Sequence, residues 1–144
     1  MAVSFAYADR TLRLGEKRRI QRFVEALVSR EGKSVQSLQY VFCSDEYLLG
    51  INQQFLQHDD FTDIITFDLR ADHKGPIEGE IYISTDRVAD NALSLGLAFR
   101  EEMLRVIFHG VLHLCGYKDK RKADKAVMRA KEEEYLLLYA SGQL

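Results

Sequence analysis

His109-Gly110-Val111-Leu112-His113-Leu114-Cys115-Gly116-Tyr117-Lys118-Asp119 is the stretch on which the reading of this chain turns. Residues four apart lie on one face of a helix, with Cβ atoms about 6 Å apart. At that spacing His109 and His113 can grip one metal ion. Gly116 follows three residues later, and glycine is the usual residue where a helix stops in a left-handed conformation. A reversal there brings Asp119 back beside the two imidazoles. A carboxylate is an acceptable third zinc ligand, and three protein ligands with one open position mark a catalytic zinc site. The competing reading is a chance pair on an amphipathic helix. The chain has 4 His, and the glycine and carboxylate at the return weigh against chance.

Outward from this stretch, a helix opening near Phe99 or Arg100 carries Leu104, Ile107, Phe108, Val111, Leu112 and Leu114 almost all the way round. Such a helix is central and buried, and histidines on it must be hydrogen-bonded or coordinated. Upstream, residues 2–7 read as a short strand. Glu16 to Arg30 has a stripe of Ile20, Phe23, Val24, Leu27 and Val28 that specifies an amphipathic helix ended by Gly32. Residues 35–43 form a second strand, and Ser44 caps a helix whose Tyr47, Leu48, Ile51 and Phe55 face the core. Ile64 to Leu69 and Glu80 to Ser84 read as an antiparallel pair, joined by a loop holding the single proline, Pro76. Ser84 or Thr85 caps a helix through Val88, Ala92 and Leu95 to Gly96. A last helix, about Ala123 to Tyr139, buries Val127, Met128, Tyr135 and Leu138. Strands early and helices late give an α+β fold: one four-stranded sheet packed with about five helices, the metal site at the end of the central helix.

The 144 residues suit one domain, 1–144, with its own core. A net charge of -2 gives no global bias toward nucleic acid, so any RNA contact must be local. No secretion signal or apolar run of membrane length is evident, which points to the cytoplasm and to free thiols at Cys43 and Cys115.

The pattern H-x-x-x-H-x-x-G-x-x-D overlaps that of zinc endopeptidases, which need a Glu after the first His as base. Here that slot is Gly110. The metal-holding geometry survives without the peptidase's base, and metal-activated water suits attack on a phosphodiester. Lys118, Lys120, Arg121, Lys122 and Lys125 crowd the rim, diluted by Asp119 and Asp124. They are either phosphate contacts or the solvated start of the last helix. The basic side of the first helix, with Arg10 and Arg13 before it, reads chiefly as a solvated face.

HGVLHLCGYKD resembles the signature of the YbeY family of metal-dependent endoribonucleases, H-G-x-L-H-L-x-G-Y-D-H. Ile51-Asn52…Phe55…Asp59…Thr62-Asp63-Ile64-Ile65-Thr66-Phe67 is similar to a second family motif, and Gly79-Glu80-Ile81-Tyr82-Ile83-Ser84 to a third. The resemblance covers about residues 35–140. It implies a compact α+β fold with a small mixed sheet, one zinc ion on His109, His113 and Asp119, and cleavage of single-stranded RNA. It further implies maturation of the 16S rRNA 3′ end, ribosome quality control, and the ribosomal small subunit as partner. Asp63 matches a cleft position and is either a catalytic residue, orienting water or a ligand histidine, or a strand-entry cap. Two departures matter. Asp119 stands where the family has His, which favours a harder cation than zinc. Leu56 stands where the family commonly has Arg, leaving His58 or a lysine between Lys118 and Lys125 to meet phosphate. A cytoplasmic monomer without membrane contact is expected. The alternatives are a zinc metallopeptidase-like hydrolase and a non-catalytic ribosome-associated factor with a residual metal site.

Overall fold

The structure, a computed structural model, describes residues 2–56 and 62–144. Along the chain run β1 (Val3–Tyr7), α1 (Lys17–Arg30), β2 (Val35–Cys43), α2 (Asp45–Leu56), β3 (Ile64–Asp68), β4 (Ile77–Ser84), α3 (Thr85–Leu95), α4 (Phe99–Leu114) and α5 (Lys122–Ser141). The sheet order is β1-β2-β4-β3. β1 and β4 both lie parallel to β2, and β3 pairs antiparallel with β4. Parallel neighbours need a crossover, and α1 supplies the one between β1 and β2. The four strands, five helices and α+β class are those the hydrophobic periodicities specify, and the mixed sheet is the one the family resemblance implies.

The apolar stripe of α1 is buried as read, from Ile20 to Val28. Ser44 and Ser84 cap α2 and α3, their hydroxyls accepting from Tyr47 N and Arg87 N, both at 3.1 Å. In β2, Tyr40, Val41, Phe42 and Cys43 are all buried, so both faces of this central strand are covered. α4 lies across the sheet, where Tyr40 Oη donates to Ile107 O at 2.8 Å. The crossing is close because Gly110 has no side chain. A Cβ there would stand 2.9 Å from Ile81 Cδ1 and 3.0 Å from Ile64 Cδ1. Gly79 of β4 makes the matching gap for Leu114: its Cβ would meet Leu114 Cδ1 and Phe67 O, each at 2.9 Å.

Three sequence expectations are corrected. β4 begins at Ile77 rather than Glu80, because Ile77 N donates to Ser34 O at 2.8 Å and its side chain is fully buried. Tyr47 and Phe55 do not enter the core: α2 buries Leu48 and Asn52, while Phe55 is 61% exposed and packs edge-on against Phe67. Val127 is exposed as well, because α5 turns the face of Met128, Glu132, Tyr135 and Tyr139 inward; Leu138 is only half-buried. Cys43 and Cys115 are free and buried, and burial pushes their thiols up to about 12 and about 11. No described helix is long and apolar enough to cross a membrane.

Candidate metal centre

α4 ends as its glycine dictates. Gly116 has φ +109°, Gly116 N donates to His113 O at 3.0 Å, and Tyr117 N reaches back to Leu112 O at 3.1 Å. This pair of bonds satisfies carbonyls that the last helical turn leaves without partners. The reversal carries Asp119 back along the helix, and its Oδ2 lies 3.3 Å from His109 Nε2. Asp119 lines two adjoining clefts. One, of about 250 Å³, includes His109, Arg105 and Glu132; the other, of about 510 Å³, includes His113, Lys118, Lys120 and Arg121.

Each imidazole is held through its Nδ1. His109 Nδ1 lies 2.7 Å from Glu132 Oε2 of α5, and His113 Nδ1 lies 3.1 Å from Tyr117 O in the turn. On His109 the other ring nitrogen, Nε2, is the one that meets Asp119, and His113 lines the larger cleft. An outer carboxylate or carbonyl on one ring nitrogen is what fixes tautomer and direction in metal-ligating histidines. Behind His109 stands a buried charge network. Arg105 Nη1 donates to Glu132 Oε1 at 3.0 Å, and the same guanidinium grips Glu102, through Nε at 2.9 Å and a second, short contact. Glu102 is fully buried and Glu132 nearly so.

These contacts set the charges. Burial by itself would lower the pKa of His109, but the Glu132 hydrogen bond and the charges of Glu132, Asp119 and Asp63 outweigh it and raise the value. Burial likewise opposes ionisation of Glu132, and the bonds from His109 and Arg105 overcome it, so its carboxyl is held below the ordinary range. Asp63, at the entrance to β3, is pushed up by burial, with His109 and Arg105 pulling the other way. Its Oδ2 lies 3.5 Å from Asn91 Nδ2 and its carbonyl accepts from Ser84 N at 2.9 Å. Asp63 therefore both pins the start of β3 and lies within the electrostatic reach of His109.

The donor chemistry fits a divalent cation. Two imidazoles engaged through Nδ1, beside one carboxylate, are borderline and hard donors that suit zinc or a neighbouring transition metal. As placed, among the described residues no three His, Cys, Asp or Glu side chains stand close enough together to hold an ion. His109 and Asp119 are in contact, and His113 shares a cleft wall with Asp119. Of the proposed phosphate contacts, Lys118, Lys120 and Arg121 line the larger cleft; Lys125 lines the smaller one, and Lys122 opens α5 outside both. Leu56 is exposed at the end of α2, and His58 lies outside the described residues.

Sequence reasoning did not find Glu132, Arg105 or Glu102. A signal was present: a carboxylate four residues after Met128 and three before Tyr135 sits on a buried stripe, where it must be paired. Glu31 was also missed. It accepts from Tyr117 Oη at 2.6 Å and from Tyr135 Oη, and it pairs with Lys131 at 3.2 Å. It thereby ties the end of α1 to the turn that holds His113.

Comparison with known proteins bears on the same residues. The family model described as Endoribonuclease YbeY matches residues 6–140. A protein named Endoribonuclease YbeY from Cytophaga hutchinsonii is 46% identical over 136 residues, 94% of this chain and 94% of that protein. One of the same name from Flavobacterium psychrophilum is 50% identical over 117 residues, 81% of this chain and 82% of that protein. A third, from Porphyromonas gingivalis, is 50% identical over 85% of this chain and 80% of its own. A solution structure of a Thermotoga maritima protein superposes with TM-score 0.71 at 26% identity, covering 97% of this chain and 90% of that one.

Proposed function

This chain belongs to the endoribonuclease YbeY family, and from that premise we propose that it is a metal-dependent hydrolase of single-stranded RNA acting in ribosomal RNA maturation. The observation that carries the proposal is the return of Asp119 to within 3.3 Å of His109 Nε2, beside a cleft that also holds His113. His109, His113 and Asp119 are the residues that would hold the cation, zinc in the first instance. Bound there, a divalent cation supplies Lewis acidity toward a phosphoryl oxygen and an acidified water. The chain's own groups do the rest. Glu132 and the Tyr117 carbonyl hold the Nδ1 sides of the two rings, which would leave each Nε2 to the cation. Lys118, Lys120 and Arg121 present cations to the RNA backbone, and backbone contacts of that kind dominate affinity for nucleic acid. Asp63, whose carboxyl burial pushes upward, is the residue that would give or take a proton. The cellular role included in this proposal is processing of the 16S rRNA 3′ end on the small subunit.

The peptidase alternative loses ground on packing. The slot in which that chemistry needs a glutamate is Gly110, whose Cβ position is already crowded by Ile81 and Ile64. The test is incubation of the protein with single-stranded RNA and with unfolded protein, each with and without chelator, alongside His113→Ala. RNA cleavage that chelator abolishes and zinc restores, and that His113→Ala lacks, is the expected result. Cleavage indifferent to chelator, or of protein alone, overturns the proposal.

A further inference from the structure

We propose that the hollow between the α1–β2 loop and the β3–β4 loop is a second site for the RNA backbone, binding a phosphodiester that flanks the one in the metal cleft. The proposal rests on the reading of the chain as a single-stranded RNA hydrolase. The hollow measures about 380 Å³ and is lined by Lys33, Ser34, His73 and Lys74 with the neighbouring glycines, and by no carboxylate. The metal clefts differ, each having Asp119 in its wall.

Among the described residues, several cations of the fold are spent on carboxylate partners, Arg70, Arg100, Arg105 and Lys131 among them. Lys33 and Lys74 are exposed, and neither has an ion pair among the described residues. The carboxylates nearest in sequence are engaged. Asp68 holds Arg70 and His73, and Asp72 Oδ1 accepts from Lys74 N at 2.9 Å. The hollow is therefore a concave surface with two lysines and no carboxylate in its lining, although Asp68 and Asp72 bond to the lining residues His73 and Lys74; an excess of cations in the wall suits a polyanion.

Its placement says which one. Both loops are fastened to the end of the helix that carries the histidines. Arg70 donates to His73 O at 3.2 Å and to Leu114 O, the last residue of α4, at 3.0 Å. On the other side Glu31, two residues before Lys33, accepts from Tyr117 of the turn that returns Asp119. The hollow thus lies just beyond the C-terminal end of α4. A strand held in the metal cleft by Lys118, Lys120 and Arg121 continues over the Gly116 turn onto Lys33 and Lys74.

The experiment measures binding of uncleavable 2′-O-methyl RNA by the zinc-loaded protein across a salt series. Two lengths are used, about 4 and about 16 nucleotides, the range that single-strand sites occupy. Each phosphate contact contributes about 0.7 to the slope of log K against log salt. The double variant Lys33→Ala, Lys74→Ala is expected to lower that slope by about 1.4 for the longer RNA and to leave the shorter one unchanged. Charge reversal, Lys33→Glu with Lys74→Glu, is expected to weaken the longer RNA further at unaltered zinc content. A long-RNA slope and affinity equal to the parent's in both variants overturns the second site. Failure of the parent itself to bind either RNA is a different result, and it overturns the RNA-hydrolase reading beneath.

Discussion

Glu132→Gln isolates what the buried carboxylate does for the site. The substitution keeps the shape and removes the charge that Arg105 and His109 share. Removing one partner from a buried ion pair costs about 3–5 kcal/mol, because the other charge is left uncompensated. Here Arg105 keeps Glu102, and Glu132 is only one of its two carboxylates. About 2–3 kcal/mol of destabilisation is therefore expected. For a chain of this size each kcal/mol moves the melting temperature by about 3 °C, so the metal-free variant should melt about 6–9 °C lower. The second consequence is independent of the first. Glutamine can offer either its oxygen or its amide to Nδ1, so the preference for an unprotonated Nε2 weakens. Loss of an outer-shell partner typically lowers metal affinity 10–100-fold. Circular-dichroism melts without metal and calorimetric zinc titration at fixed pH measure the two effects. A lowered melt with unchanged zinc affinity refutes the orienting role. An unchanged melt refutes the buried network as a source of stability.

Other perturbations test the scaffold around the site. Gly79→Ala should destabilise by about 1–3 kcal/mol in urea unfolding, the range for overpacking a core, because a backbone carbonyl, Phe67 O, stands 2.9 Å from the new Cβ. Gly110→Ala should cost less: it meets side-chain atoms of Ile81 and Ile64, and alanine regains about 1 kcal/mol of helix propensity. Asp68 is held well below the usual carboxylate range, first by the Arg70 hydrogen bond. A depressed folded pKa contributes stability above the unfolded value of about 3.9 and loses it as pH falls through the folded one. Asp68→Asn should therefore show a flatter dependence of melting temperature on pH below about 4 than the parent. Tyr117→Phe removes the hydroxyl from Glu31 but keeps the carbonyl that holds His113. It should cost about 1 kcal/mol and lower zinc affinity less than Glu132→Gln does.

The centre was legible in sequence as far as its contacts are local. His109, His113, Gly116 and Asp119 belong to one helix end, so helical spacing and one left-handed residue suffice to return Asp119 to His109; His113 shares a cleft wall with Asp119 without contact. The buried stripe of α1 was legible for the same reason: a clean period fixes a face. Glu132 was not, because its partner is 23 residues away, and because taking Val127 as buried rotates the inward face of α5. With Met128 as the start, the stripe 128, 132, 135, 139 holds a carboxylate that demands a cation or a histidine nearby. Phe55 misled by composition. An aromatic on an apolar stripe reads as core, but Phe55 packs over Phe67 on the outer side of the sheet, where Phe67 in turn meets Tyr82.

The two imidazoles are held by supports of different stiffness, and this bears on how the centre works. His109 stands on Glu132, Arg105 and Glu102, charges that burial makes costly to separate. His113 stands on a backbone carbonyl in a turn, and Asp119, on that same turn, has a side chain 42% exposed. Groups on such a turn can shift by rotating a few backbone angles without breaking a buried pair. Both histidines belong to α4, which is pinned against the sheet at Gly110 and Gly79. Asp119 alone of the three candidate ligands sits on the Gly116 return, so it is the one whose place a few backbone angles of that return set.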